Sequence, residues 1–275
     1  MTISPKETQS EGLMTFGGHL EVLRRMVIRV VAVTLVLACV IFSFKEVTFA
    51  LLLAPSEWDF STYRWIEEFC RKFDPGFRFE EFHVDLIATD LSSQFMTHLS
   101  TSLYLGLLCA SPWILFELFR FVSPALLESE RKYSVRIVVT VYLLFVAGVL
   151  MSYYILFPVS FRFLGTYSVA ERIHSTITLD SYISTFVTLT LLMGLVFQLP
   201  VIAFVLGKMG LVRSEFLVRY RRYAFLIICL VAAIITPPDV MTLILVAVPL
   251  YLLYEVSIKV IRFTERGAGE DGAVA

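Results

Sequence analysis

Residues Tyr223–Ile258 read YAFLIICLVAAIITPPDVMTLILVAVPLYLLYEVSI. Two apolar runs, Tyr223–Thr236 and Val240–Ile258, meet at Thr236-Pro237-Pro238-Asp239. A double proline cannot continue a helix, because each ring lacks an N–H and pushes the preceding residue toward extended backbone. The stretch therefore predicts a tight helical hairpin. Its first arm would reach only about 21 Å at 1.5 Å per residue, against about 30 Å of hydrocarbon. A pair this short suits local thinning of the bilayer. A helix pair in a soluble core is the weaker alternative.

Working outward, four longer apolar runs precede the hairpin: Met26–Phe44, His98–Val122, Ser134–Phe157 and Ser181–Leu206. Of 275 residues, 57% are hydrophobic and only 17% charged, with mean hydropathy +0.78. Soluble domains carry about 25% charged residues, so a soluble globular chain is excluded. The 14% aromatic content excludes a disordered one. The runs lack the alternation of a membrane β-barrel, and a helix satisfies its own backbone in lipid. The expected fold class is an all-α membrane protein with six transmembrane helices, the fifth and sixth short.

Net charge is −1, from 23 Lys+Arg and 24 Asp+Glu. No basic excess points to a nucleic-acid partner. Fifteen Lys and Arg fall in the N-terminal segment, the 2–3 and 4–5 links and the tail. The loop after span three holds only Arg162 and Arg172. By the positive-inside rule both termini are expected in the cytoplasm. Residues 1–18 read as a polar cytoplasmic N-terminus, 19–262 as the six-span domain and 263–275 as a cytoplasmic tail. A removable signal peptide is not expected. Arg29, one turn inside span one, is expected to snorkel.

In the first outer loop, Trp65, Ile66, Phe69 and Phe73 recur at helical spacing before Asp74-Pro75-Gly76. An amphipathic helix is expected there, on the outer membrane surface or against the span ends. Of Cys39, Cys70, Cys109 and Cys229 only Cys70 lies in an outer loop, so no disulfide framework is expected.

Enzyme signatures are thin. His19, His83, His98 and His174 show no metal-ligand spacing, and no nucleophile elbow or phosphate loop occurs. No catalytic residue, metal or cofactor is expected. The informative residues are polar ones at membrane depth. Gln198, in Phe197-Gln198-Leu199-Pro200, lies about 12 Å inside the cytoplasmic end of span four. Pro200 frees a carbonyl one turn back. Gln198 either clamps that defect or meets a polar group on a partner helix. Glu255 is expected to pair with Lys259 at i+4, and Asp239 to cap the sixth helix. Glu128 and Glu130 precede span three beside Arg131 and Lys132. They are solvated loop charges, or a fixed carboxylate able to take a guanidinium.

Four blocks resemble one family. They are His19-Leu20-Glu21-Val22-Leu23-Arg24-Arg25; Ile87-Ala88-Thr89-Asp90 with Phe95; Phe121-Val122-Ser123-Pro124-Ala125-Leu126 through Glu130-Arg131-Lys132; and Phe197-Gln198-Leu199-Pro200 to Thr236-Pro237-Pro238-Asp239, Pro249-Leu250-Tyr251 and Glu255. Together they resemble TatC, the multi-span receptor subunit of the twin-arginine protein translocase. The resemblance implies a concave, glove-like bundle and no catalysis. It also implies recognition of twin-arginine signal peptides of folded precursors at the cytoplasmic face of a bacterial inner membrane. Multimeric assembly with single-span TatA and TatB would follow, with export driven by the proton-motive force.

By the same resemblance Glu130, with Glu21, Arg24, Phe121 and Arg131, would bind the signal. Gln198 and Pro200 would face partner helices, and Pro55, Asp90, Phe95, Asp239 and Glu255 fall on family positions. The family's N-terminal pattern is H-L-x-E-L-R-x-R. Here Val22 stands at its acid and Met26 at its last arginine. Glu21 is one residue early, about 100° around a helix. The chief rival, a small-solute secondary transporter, would show internal repeats with matching broken helices. None is evident between the two halves.

Overall fold

The computed structural model describes residues 16–76, 78, 81–122, 134–168, 176–236 and 239–271. The first helix, α1 (Phe16–Ser43), carries no charge after Arg29 and packs along α4 (Ser93–Val122), which runs back beside it. The two backbones close at Gly106, where an added Cβ would stand 2.8 Å from the Ala38 nitrogen. Small residues permit such approach between membrane helices.

Between them lie α2 (Lys45–Leu53), a 3-10 turn (Ala54–Ser56) and α3 (Ser61–Arg71), the helix expected in the first outer loop. Its inner face docks on the span ends, while Trp65 and Phe69 stay exposed on the other. A proline explains the docking. Pro158 has no N–H to give the carbonyl of Tyr154, and the Thr62 hydroxyl donates to that carbonyl instead. The Tyr63 hydroxyl lies 3.0 Å from the Pro55 carbonyl and 2.9 Å from that of Pro158. Burial pushes the Tyr63 phenol well above its usual pKa, so it stays a donor.

The same proline marks where α5 (Ser134–Met151) passes through a π-turn, Ser152–Leu156, into α6 (Phe157–Thr166). The third span thus runs beyond the expected end at Phe157. A two-residue parallel bridge, Leu86–Ile87 with Ile177–Thr178, ties the first outer loop to the second. It is too short for any alternation in the sequence to signal.

The fourth apolar run is not one helix. It divides into α7 (Leu179–Val196) and α8 (Leu199–Lys208) at Phe197-Gln198. A short α9 (Ser214–Arg219) leads into α10 (Arg221–Ile235) and α11 (Val240–Asp271). Pro237 and Pro238 lie outside the described residues, but α10 ends and α11 begins where the hairpin reading sets them. α11 then runs 32 residues, past the expected end at Ile258, so of the two arms only the fifth is short. Five segments are long and apolar enough to cross a membrane: Leu20–Ser43, Ser93–Leu118, Val138–Thr166, Leu179–Lys208 and Val240–Glu265. At about 1.5 Å per residue α10 spans roughly 22 Å, the short arm the sequence predicts. The packed core sits on α6 and α7. There Phe157 and Phe161 meet Tyr182, and Phe157 meets Phe186, edge to face at 5.0 Å.

Candidate functional site

Polar groups gather at two places that the helices position. The first is the end of the α1/α4 hairpin where Glu21 and Phe121 lie. On α1, Glu21 accepts from Arg25 Nε at 2.9 Å and stands 3.5 Å from Arg24 Nη1. The i,i+3 and i,i+4 spacing makes these neighbours on one exposed face. On α4, Arg120 is exposed in the last turn, which also holds Phe121. Glu128, Glu130 and Arg131, the centre of the expected signal site, lie outside the described residues.

One turn into this hairpin, Arg29 Nη2 reaches Glu117 Oε2 at 3.0 Å. The Glu117 side chain is 3% exposed and that of Arg29 46%. Arg29 therefore does not simply snorkel; it crosses to the neighbouring helix. An unpaired carboxylate at this depth is costly, and a guanidinium from a facing helix offsets the penalty. Glu117 escaped the sequence reading. Its one signal was an acid inside an apolar run, near the same end of span two as Arg29 is of span one.

The second place is the break in the fourth run. Gln198 is 6% exposed. Its Nε2 donates to the carbonyl of Val141 on α5 at 3.2 Å and lies 3.5 Å from that of Gly194. The side chain is turned inward as a clamp between the break and α5. Two glycines bring α5 this close. A Cβ on Gly148 would fall 2.6 Å from the Met193 carbonyl oxygen, and one on Gly194 2.7 Å from the Phe145 ring. Buried Pro200 faces a cavity of about 480 Å³ between α5, α8 and α11. Phe197, Leu144, Phe204 and Val256 also line it.

The hairpin has its own polar contacts. Asp239 Oδ1 accepts from the Thr242 N–H at 2.7 Å and caps α11 as expected. The expected Glu255–Lys259 pair is replaced by a cross-helix one. Glu255 Oε2 accepts from Arg221 Nη2 of α10 at 2.7 Å, and its Oε1 from the Tyr251 hydroxyl at 3.2 Å. The guanidinium of the neighbouring helix and the Tyr251 hydroxyl one turn back between them occupy both oxygens of the carboxylate. Pro55 is buried, and its carbonyl accepts from the Tyr63 hydroxyl. Asp90 is exposed, and its carbonyl accepts from Ser93 N at the start of α4. Phe95 meets Phe42 edge-on at 6.4 Å. No cluster of three metal-ligating side chains occurs among the described residues.

Membrane-length helices, a short hairpin arm, a broken fourth span and polar groups held at helix ends define a multi-pass α-helical membrane protein. Its relatives narrow this further. The model of the Sec-independent protein translocase protein TatC matches residues 18–249. The TatC protein of Carboxydothermus hydrogenoformans is 32% identical over 251 residues, 91% of this chain and 93% of that protein. Bacillus subtilis TatCy is 37% identical over 188 residues, 68% of this chain and 74% of its own length. A crystal structure of the twin-arginine translocase receptor TatC superposes with TM-score 0.71 at 30% identity, covering 90% of this chain and 99% of that one. The chain belongs to the TatC family of Sec-independent protein translocase components.

Proposed function

We propose that this chain is the signal-binding receptor subunit of a twin-arginine translocase. It lies in a bacterial-type inner membrane with α10 completing six crossings and both termini in the cytoplasm. The carrying observation is the likeness to receptor crystal structures along nearly the whole chain, with Glu21 and Phe121 at one end of one helix hairpin. Glu130 takes a signal arginine bidentately. Phe121, Arg24 and Arg131 belong to the same signal-binding set. Partner single-span helices of TatA and TatB type pack along the Pro200 groove, whose shape depends on the break that Gln198 clamps. Transport then draws on the proton-motive force within a multimeric complex.

The test is Glu130→Gln, which keeps shape and removes charge. Affinity for a twin-arginine peptide should fall by about 1.5–3 kcal/mol, the scale of a hydrogen bond to a charged group. Glu128→Gln should cost less. Equal, small effects from the two would return Glu130 to the solvated loop charges.

A further inference from the structure

Glu117 is the only buried acid among the described residues, and the signal-binding reading gives it no task. Its place is specific. On α4 it stands one turn before Phe121. On α1 its partner Arg29 stands one turn after Arg25 and two after Glu21. The hairpin is held at three levels: Phe42 stacked on His98 at 4.1 Å, the close approach of Gly106 to Ala38 and, nearest the Glu21 end, the Glu117–Arg29 pair. Along the stretch between Glu117 and Gly106 lie apolar side chains such as Val33, Leu37, Ala110 and Trp113 with buried Thr34 and Ser111, and among the described residues no hydrogen bond there joins the two helices. A carboxylate–guanidinium bond is directional, and in a low dielectric its loss leaves a charge with no solvent. It fixes which face of each helix meets the other.

We propose that Glu117, acting through Arg29, is a positioning residue. It sets the register and rotation of the Glu21–Arg25 turn of α1 against Phe121 of α4, and with them the geometry of the signal-recognition face. This rests on the receptor reading. Residues that never touch a ligand can still change its affinity by biasing the element that holds the contacts.

The experiment uses the full chain in nanodiscs with Glu117→Gln, Arg29→Gln and the double variant. Two readouts are taken. One is affinity for a fluorescent twin-arginine peptide, with a twin-lysine peptide as control. The other is the distance distribution between spin labels at Leu20 and Arg120, both exposed. Each single variant should lower twin-arginine affinity about three- to thirtyfold and broaden the distribution. Because one pair carries the effect, the double variant should lose no more than either single one. An unchanged distance distribution in Glu117→Gln overturns the inference, as does wild-type affinity or additive losses in the double variant. A wild-type chain that fails to prefer twin arginine counts against the receptor reading instead. The distance distributions then decide the positioning role alone.

Discussion

The carboxamide nitrogen of Gln198 donates to the carbonyl of Val141 at 3.2 Å, fastening the break between α7 and α8 to the middle of α5. Lipid offers that nitrogen no acceptor. Gln198→Leu should therefore lower the stability of the isolated protein by about 0.6–1.7 kcal/mol, the range for interhelical hydrogen bonds in membranes. Thermal melting in detergent checks this, and an unchanged melting temperature would contradict the clamp. Partner crosslinking on the same variant separates roles: lower stability with full crosslinking leaves Gln198 to the fold alone.

Gly148→Ala tests the approach that makes the clamp reachable. The new methyl would meet the Met193 carbonyl, which is backbone and cannot swing aside. Overpacking of this kind costs about 1–3 kcal/mol. A melting temperature within a degree of wild type would show that α5 and α7 have room the geometry denies.

Asp239 holds the first turn of α11 through the Thr242 N–H. Asp239→Ala should cost about 1 kcal/mol, whereas Asp239→Asn, which keeps an accepting oxygen, should cost less. Urea or thermal denaturation of the two variants side by side is the check. Equal losses would mean the charge, and not the cap, matters there.

Topology is open to a thiol reagent. Cys70 is free and partly exposed near the end of α3. A membrane-impermeant maleimide should label it from the outer side of intact cells. Labelling only after the inner face is opened would overturn the orientation drawn from lysine and arginine placement.

Local chemistry was legible in the sequence, and pairing across distance was not. The Pro237-Pro238 step announced the hairpin and its short arm, because proline acts on its own neighbours. Trp65 and Phe69 announced α3 by helical spacing, while Phe73 falls just past its end at Arg71. The break at Gln198 was half legible: Pro200 signalled the defect, but the use of Val141 depends on α5 coming close at Gly148, 50 residues before Gln198. Arg29 with Glu117, and Glu255 with Arg221, join residues 88 and 34 apart. Neither pair follows from spacing on one helix, so the nearer expectations, a snorkelling arginine and an i+4 lysine, gave way. The bridge Leu86–Ile87 with Ile177–Thr178 is two residues a side, below any periodic signal.

The central claim is recognition of paired arginines at the cytoplasmic face. Its most direct test is photo-crosslinking of the full chain in nanodiscs to a signal peptide carrying a twin-arginine or a twin-lysine pair. Arginine's planar fork matches a carboxylate bidentately and lysine's ammonium does not. Strong crosslinking is expected with the arginine peptide, loss with the lysine peptide, and reduction in Glu130→Gln. Equal crosslinking by the two peptides would contradict it.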